Sequence, residues 1–132
     1  MILVDTSVLI GYLKGTKSNT TEKMAYIIDN DMPYGICHYV YQELLQGSAS
    51  EQEYGLLKEY FSTLPFHDLR MGRESYENAA YMYMLCRKNG ITVRSTIDLL
   101  IAEIAIENDL YLFHNDSDFT NIAKVYYKLK IY

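Results

Sequence analysis

The stretch Met1-Ile2-Leu3-Val4-Asp5-Thr6-Ser7-Val8-Leu9-Ile10 decides the fold. Its first four residues form an unbroken apolar, partly β-branched run with no polar alternation, the pattern of a short strand covered on both faces. Asp5-Thr6-Ser7 then supplies helix-starting side chains at once. The helix predicted over Ser7 to Leu13 stops near Gly15. A buried strand that turns directly into a helix is half of a β-α-β unit, so a mainly parallel sheet with helical crossovers is expected. The same signature returns late in the chain. Tyr111-Leu112-Phe113 is a second buried apolar run, followed immediately by the acids and helix-starting residues of His114-Asn115-Asp116-Ser117-Asp118.

Between these ends, strand and helix patterns alternate. Ser18-Asn19-Thr20 opens a helix carrying Met24, Ile27 and Ile28 on one face, which ends within Asp29 to Pro33. Tyr34-Gly35-Ile36-Cys37 reads as a short strand and Tyr39 to Gln46 as a helix that holds Glu43, with Gly47 as its stop. Ser50 caps a helix reaching to Phe61, and Leu64-Pro65-Phe66-His67 is a brief strand whose proline favours a sheet edge. A long helix is predicted over Arg73 to Lys88, a further one opens at Ser95, and Val125 to Tyr132 alternates enough for a last edge strand. The expected architecture is a three-layer α/β/α sandwich in a single domain over residues 1–132. In such sheets ligands bind beyond the carboxyl ends of the strands.

Composition bounds the function. No apolar run is long enough to cross a bilayer and no export signal is legible at the amino terminus. Cys37 and Cys86 stand apart with no Cys-x-x-Cys spacing, so both are expected to be reduced core residues in a cytoplasmic protein. The net charge of −5 counts against a broad basic surface for nucleic acid. That objection weakens if several acids share one cation site, because a bound divalent cation inverts the local charge.

Each notable acid has an ordinary role open to it. Asp5 and Asp116 suit helix N-caps, Ser95-Thr96-Ile97-Asp98 fits a capping box, Asp118 suits a turn, and Glu43 suits a solvated helix face. Their placement argues for more. A parallel sheet brings Asp5 and Asp116 to one rim, and Asp98 borders the apolar run Leu99-Leu100-Ile101-Ala102. With no His or Cys at matching positions, a carboxylate site suits Mg²⁺ or Mn²⁺, one or two ions, and such sites hydrolyse phosphodiesters. Thr6, Ser7 and Asn115, next to the candidate ligands, are placed to orient carboxylates or water.

The strand–helix opening at Met1 to Ile10, Glu43 within Tyr41-Gln42-Glu43-Leu44-Leu45-Gln46-Gly47, Asp98 within Ile91 to Ala102, and Leu112 to Phe119 together resemble PIN-domain ribonucleases, specifically the VapC toxins of toxin–antitoxin modules. The resemblance spans essentially the whole chain in order and spacing. It implies that Asp5, Glu43, Asp98 and Asp116 are the catalytic, metal-holding quartet, with Asp118 in support. It implies RNA of the translation apparatus, tRNA above all, as substrate, a homodimer, and a cognate VapB-type antitoxin that inserts an arginine into the acidic site. His114 departs from the common Thr, and Arg94 is expected to lie on the surface or to brace the Asp98 helix. Two rival readings stand beside this one. One is a catalytically weak PIN-like binding module. The other is a haloacid-dehalogenase-like phosphatase, which commonly has a second Asp where this chain has Ser7.

Overall fold

A computed structural model describes residues 1–132. The sheet has four strands, β1 (Ile2–Val4), β2 (Tyr34–Gly35), β3 (Tyr111–Phe113) and β4 (Lys130–Ile131), in the order β2-β1-β3-β4. All pairings are parallel, with Leu3 opposite Gly35 on one side and Leu112 on the other. Leu3, Val4 and Leu112 are completely buried, which is why these runs lack polar alternation.

Helices cover the sheet in two groups. α1 (Thr6–Leu13), α2 (Asn19–Asp29), α3 (His38–Gln46) and α4 (Glu51–Phe61) pack among themselves. So do α5 (Arg73–Lys88), α6 (Thr96–Glu107) and α7 (Ser117–Val125). The helix starts follow local chemistry: Ser18 makes a reciprocal capping box with Thr21, and Ser50 accepts from the Glu53 amide. Cys37 and Cys86 are free and buried, as their spacing predicted.

Two predicted strands shrink. Over Leu64 to His67 only Phe66 bridges, in parallel, to Ile36, held by Ile36 N–H to Pro65 O at 3.0 Å and His67 N–H to Ile36 O at 2.9 Å. Pro65 has no amide to extend the ladder. The approach is so close that a Cβ at Gly35 would lie 2.6 Å from Pro65 O. The tail is a larger correction. α7 runs to Val125, and strand pairing is confined to Lys130–Ile131. Phe119 and Ile122 are buried and Ala123 and Tyr126 pack beside them, a spacing of three and four that only a helix satisfies.

Candidate functional site

Parallel pairing of β1 with β3 puts their carboxyl ends side by side, and the Asp5 amide donates to Phe113 O at 2.9 Å. Asp5 is the N-cap of α1 and is only 6% exposed. Its Oδ2 accepts from the Ser7 amide at 3.0 Å and from Ser7 Oγ at 2.6 Å. That hydroxyl also accepts from the Asn115 amide at 2.9 Å, so one serine ties the two strand ends together. Asn115 therefore serves through its backbone rather than its side-chain amide.

Asp116 caps α7, its Oδ1 accepting from the Asp118 amide at 2.9 Å. The Asp116 amide in turn donates to His114 Nδ1 at 3.0 Å. His114 is thereby an acceptor at Nδ1 and carries its proton at Nε2. Burial lowers its affinity for a second proton, against the pull of Asp5 and Asp116. The ring lies against Phe119, 5.2 Å between centroids.

Asp98 is in the first turn of α6. Ser95 caps that helix, accepting from the Ile97 amide at 3.2 Å, and no reciprocal bond from Asp98 closes a capping box. The ordinary role open to Asp98 is thus unfilled. Its oxygens lie among acids: one oxygen each from Asp98, Asp116 and Asp118 falls within 4.8 Å of the others. Desolvation first, then the charges of Asp116, Asp5, Asp118 and Glu43, push the Asp98 carboxyl up to about 7. Glu43 reaches the same centre from α3, with Thr6 Oγ1 donating to its Oε1 at 3.2 Å. Partial burial and the Asp5 charge raise its carboxyl too. Burial raises Asp5 most, with the Ser7 bonds opposing and Asp116 adding to it.

Of the four candidate ligands, Asp98 and Asp116 place oxygens within 4.8 Å of each other together with Asp118, a supporting residue in the sequence expectation, and Asp5 and Glu43 lie near enough for their charges to act on Asp98. Sequence reasoning also missed the role of Arg94. Its Nε donates to the buried Asp118 Oδ2 at 3.1 Å and its Nη2 donates to Asp116 Oδ1 at 3.5 Å. It is neither a bare surface charge nor a brace on α6. No residue pattern signals this contact, which joins positions 22 and 24 residues apart through space.

A cluster made only of carboxylates, with one guanidinium against several acids, has excess negative charge and hard oxygen donors; this matches a divalent cation such as Mg²⁺ or Mn²⁺. No helix is long and apolar enough to cross a membrane.

Comparison with known proteins agrees with this geometry. Ribonuclease VapC11 of Mycobacterium tuberculosis and VapC ribonuclease Mb1587 of Mycobacterium bovis are each 29% identical over 126 residues, covering 95% of this chain and 93% of theirs. Among solved structures, VapBC2 from Rickettsia felis, bound to a DNA fragment from their promoter, superposes with a TM-score of 0.74 at 20% identity, covering 100% of this chain and 98% of that one. VapBC-1 from nontypeable Haemophilus influenzae gives 0.73 at 21% identity, with 100% and 97% covered. Residues 2–125 match the PIN domain, and with a four-stranded parallel sheet gathering acids at one rim, the chain belongs to the PIN-domain family.

Proposed function

We propose that this protein is a VapC-type endoribonuclease, dependent on Mg²⁺ or Mn²⁺, that cleaves structured RNA of the translation apparatus, tRNA foremost, as the toxin of a toxin–antitoxin pair. The observation that carries this reading is the convergence of Asp5, Glu43, Asp98, Asp116 and Asp118, from the starts of α1, α6 and α7 and from α3, near the carboxyl rim of β1 and β3. Family membership and the names of the relatives support it.

Asp5, Glu43, Asp98 and Asp116 would hold the cation, with Asp118 flanking. When bound, the cation supplies charge neutralisation for the phosphodiester and acidifies water as the nucleophile. The protein's part is to keep the carboxylates aimed. Ser7 fixes Asp5 against the β3 end, Thr6 fixes Glu43, and His114 holds the backbone turn that presents Asp116. Burial and the neighbouring acids push the Asp98 carboxyl up to about 7, and a cation held beside it would make it give up its proton more readily.

A VapB-type antitoxin and a homodimer complete the assembly in this reading. An apolar groove of about 280 Å³ between α1, α2 and α4, lined by Leu13, Met24 and Tyr60, supports a docked apolar segment. A second hollow shares Leu13 and is lined by Glu43, an acid with which an inserted arginine would pair.

The test is cleavage of end-labelled tRNA by the purified protein. Cleavage is expected with Mg²⁺ or Mn²⁺, and none in EDTA or with Asp98→Asn. Activity that survives chelation rejects the cation dependence, and an active Asp98→Asn rejects the site.

A further inference from the structure

Of the five acids at the site, only Asp116 and Asp118 are bonded to a basic side chain, and in both cases it is Arg94. Asp118 is the closer partner. Its Oδ2 accepts from Arg94 Nε at 3.1 Å and from the Arg94 backbone amide at 3.4 Å, so the loop before α6 is clamped to the first turn of α7. The Asp118 side chain is 7% exposed and that of Arg94 72%, so the guanidinium serves a buried carboxylate from the solvent side. A guanidinium keeps its charge at any pH a protein ordinarily meets. Arg94 is therefore a fixed positive charge beside Asp98, Asp116 and Asp118, the three acids whose oxygens lie within 4.8 Å of one another.

We propose that Arg94 competes with the divalent cation for the charge of the acidic centre and so sets the cation concentration at which that centre fills. The inference rests on the cation-dependent reading above and adds the regulation of that site. A guanidinium bonded to Asp116 and Asp118 satisfies part of the negative charge that attracts a cation, and it repels any further positive charge brought beside it. The alternative, a brace that aims Asp116, finds little support in the geometry. Asp116 Oδ1 is already fixed by the Asp118 amide at 2.9 Å, and Arg94 Nη2 reaches it only at 3.5 Å, the limit of a hydrogen bond. What Arg94 gives Asp116 is charge rather than direction. Because the Arg94 side chain is mostly exposed, its guanidinium can leave Asp116 for water at little cost.

The experiment is isothermal titration of the full chain with Mn²⁺ at low ionic strength. Arg94→Gln removes the charge and is expected to bind Mn²⁺ roughly 3–10-fold more tightly than the parent, through the repulsion it relieves. Arg94→Lys keeps the charge and should stay within about twofold of the parent. The gap between Arg94→Gln and the parent should narrow in about 0.5 M salt, where exposed charges are screened. Removing a residue that only holds the fold together would not tighten the site. Thermal unfolding verifies that each variant is folded, and Arg94→Met, which keeps the apolar stem, takes the place of Arg94→Gln if that variant is not. Equal or weaker binding by Arg94→Gln overturns the competition and leaves the cation-dependent ribonuclease reading intact. Binding by Arg94→Lys as tight as that of Arg94→Gln also overturns it, since charge would not be the cause. A parent that takes up no Mn²⁺ removes both.

Discussion

Helix α6 carries two acidic regions that look alike by one measure and differ by every other. At its start, Asp98 is pushed up to about 7 by desolvation and by neighbouring carboxylates. Toward its end, Glu103 is pushed up to about 7 by burial and by the hydrogen bond it makes to Glu107. Glu103 is 2% exposed and accepts from Asn78 Nδ2 at 3.3 Å. Although burial opposes it, Glu107 is held below the ordinary range by bonds from Glu103, Ser75 and the Arg70 amide, the last at 2.6 Å. Glu107 Oε2 is buried with no other hydrogen-bond partner, so a proton held by Glu103 is the donor the fold offers it. Asp98 finds no hydrogen-bond donor; four like charges act on it, with Arg94 as the opposing one. A raised carboxyl therefore does not by itself mark a functional acid; the proposed function rests instead on an unmet carboxyl surrounded by others.

The sharpest way to break this comparison is to neutralise each region in turn. Asp98→Asn and Asp5→Asn should both abolish RNA cleavage, whereas Glu103→Gln should leave the cleavage rate unchanged. Asn caps a helix as well as Asp does, so an inactive but fully folded Asp5→Asn, checked by circular dichroism, separates the charge of Asp5 from its cap. Loss of cleavage in Glu103→Gln would erase the distinction.

Ser7→Ala comes next. It removes the hydroxyl between Asp5 and the Asn115 amide, and a loss of roughly 10–100-fold in cleavage or Mn²⁺ affinity is expected for a group that aims a ligand. Isothermal titration with Mn²⁺ measures it. Cation binding should also stabilise the fold by about 2.7 kcal/mol at a hundredfold excess over the dissociation constant. Glu103→Gln should keep that gain in thermal unfolding and Asp98→Asn should lose it.

The smallest effect is on pH dependence. Asp98 and Glu103 both hold protons more tightly folded than unfolded, so their contribution is fully present below about pH 4 and is lost as pH rises toward 7. The cation-free melting temperature should therefore fall across that window. Asp98→Asn and Glu103→Gln should each flatten part of the fall, and Mg²⁺ only the part belonging to Asp98. A melting temperature that climbs from pH 4.5 to 7 in the absence of cation would contradict the sign.

How far the sequence was legible follows from which forces act locally. Met1 to Val4 and Tyr111 to Phe113 showed their strands because burial on both faces forbids polar residues there. The caps at Ser18, Ser50 and Ser95 were readable because an N-cap bond spans only two or three residues. The tail misled because Val125, Tyr127 and Leu129 also fit a two-residue period; in the fold Val125 ends α7 and the chain turns before β4, with Leu129 N–H donating to Tyr126 O at 3.1 Å. At the site, two strand ends pointed to Asp5 and Asp116. The prominence of Asp118 and the position of Arg94 depend on loop geometry after β3, which no periodicity encodes. Asp98 was half legible: its capping-box pattern is present in the letters and unused in the fold.

The central strand β1 meets β3 only across more than a hundred residues, Val4 opposite Phe113. During synthesis at about 5–20 residues per second, roughly 5–20 seconds separate the appearance of these two strands. Throughout that interval one edge of β1 has no neighbour, and Asp116 and Asp118 do not exist. A nascent chain therefore carries Asp5, Glu43 and then Asp98 without Asp116 or Asp118, and the acidic centre assembles only once β3 and the start of α7 have been made.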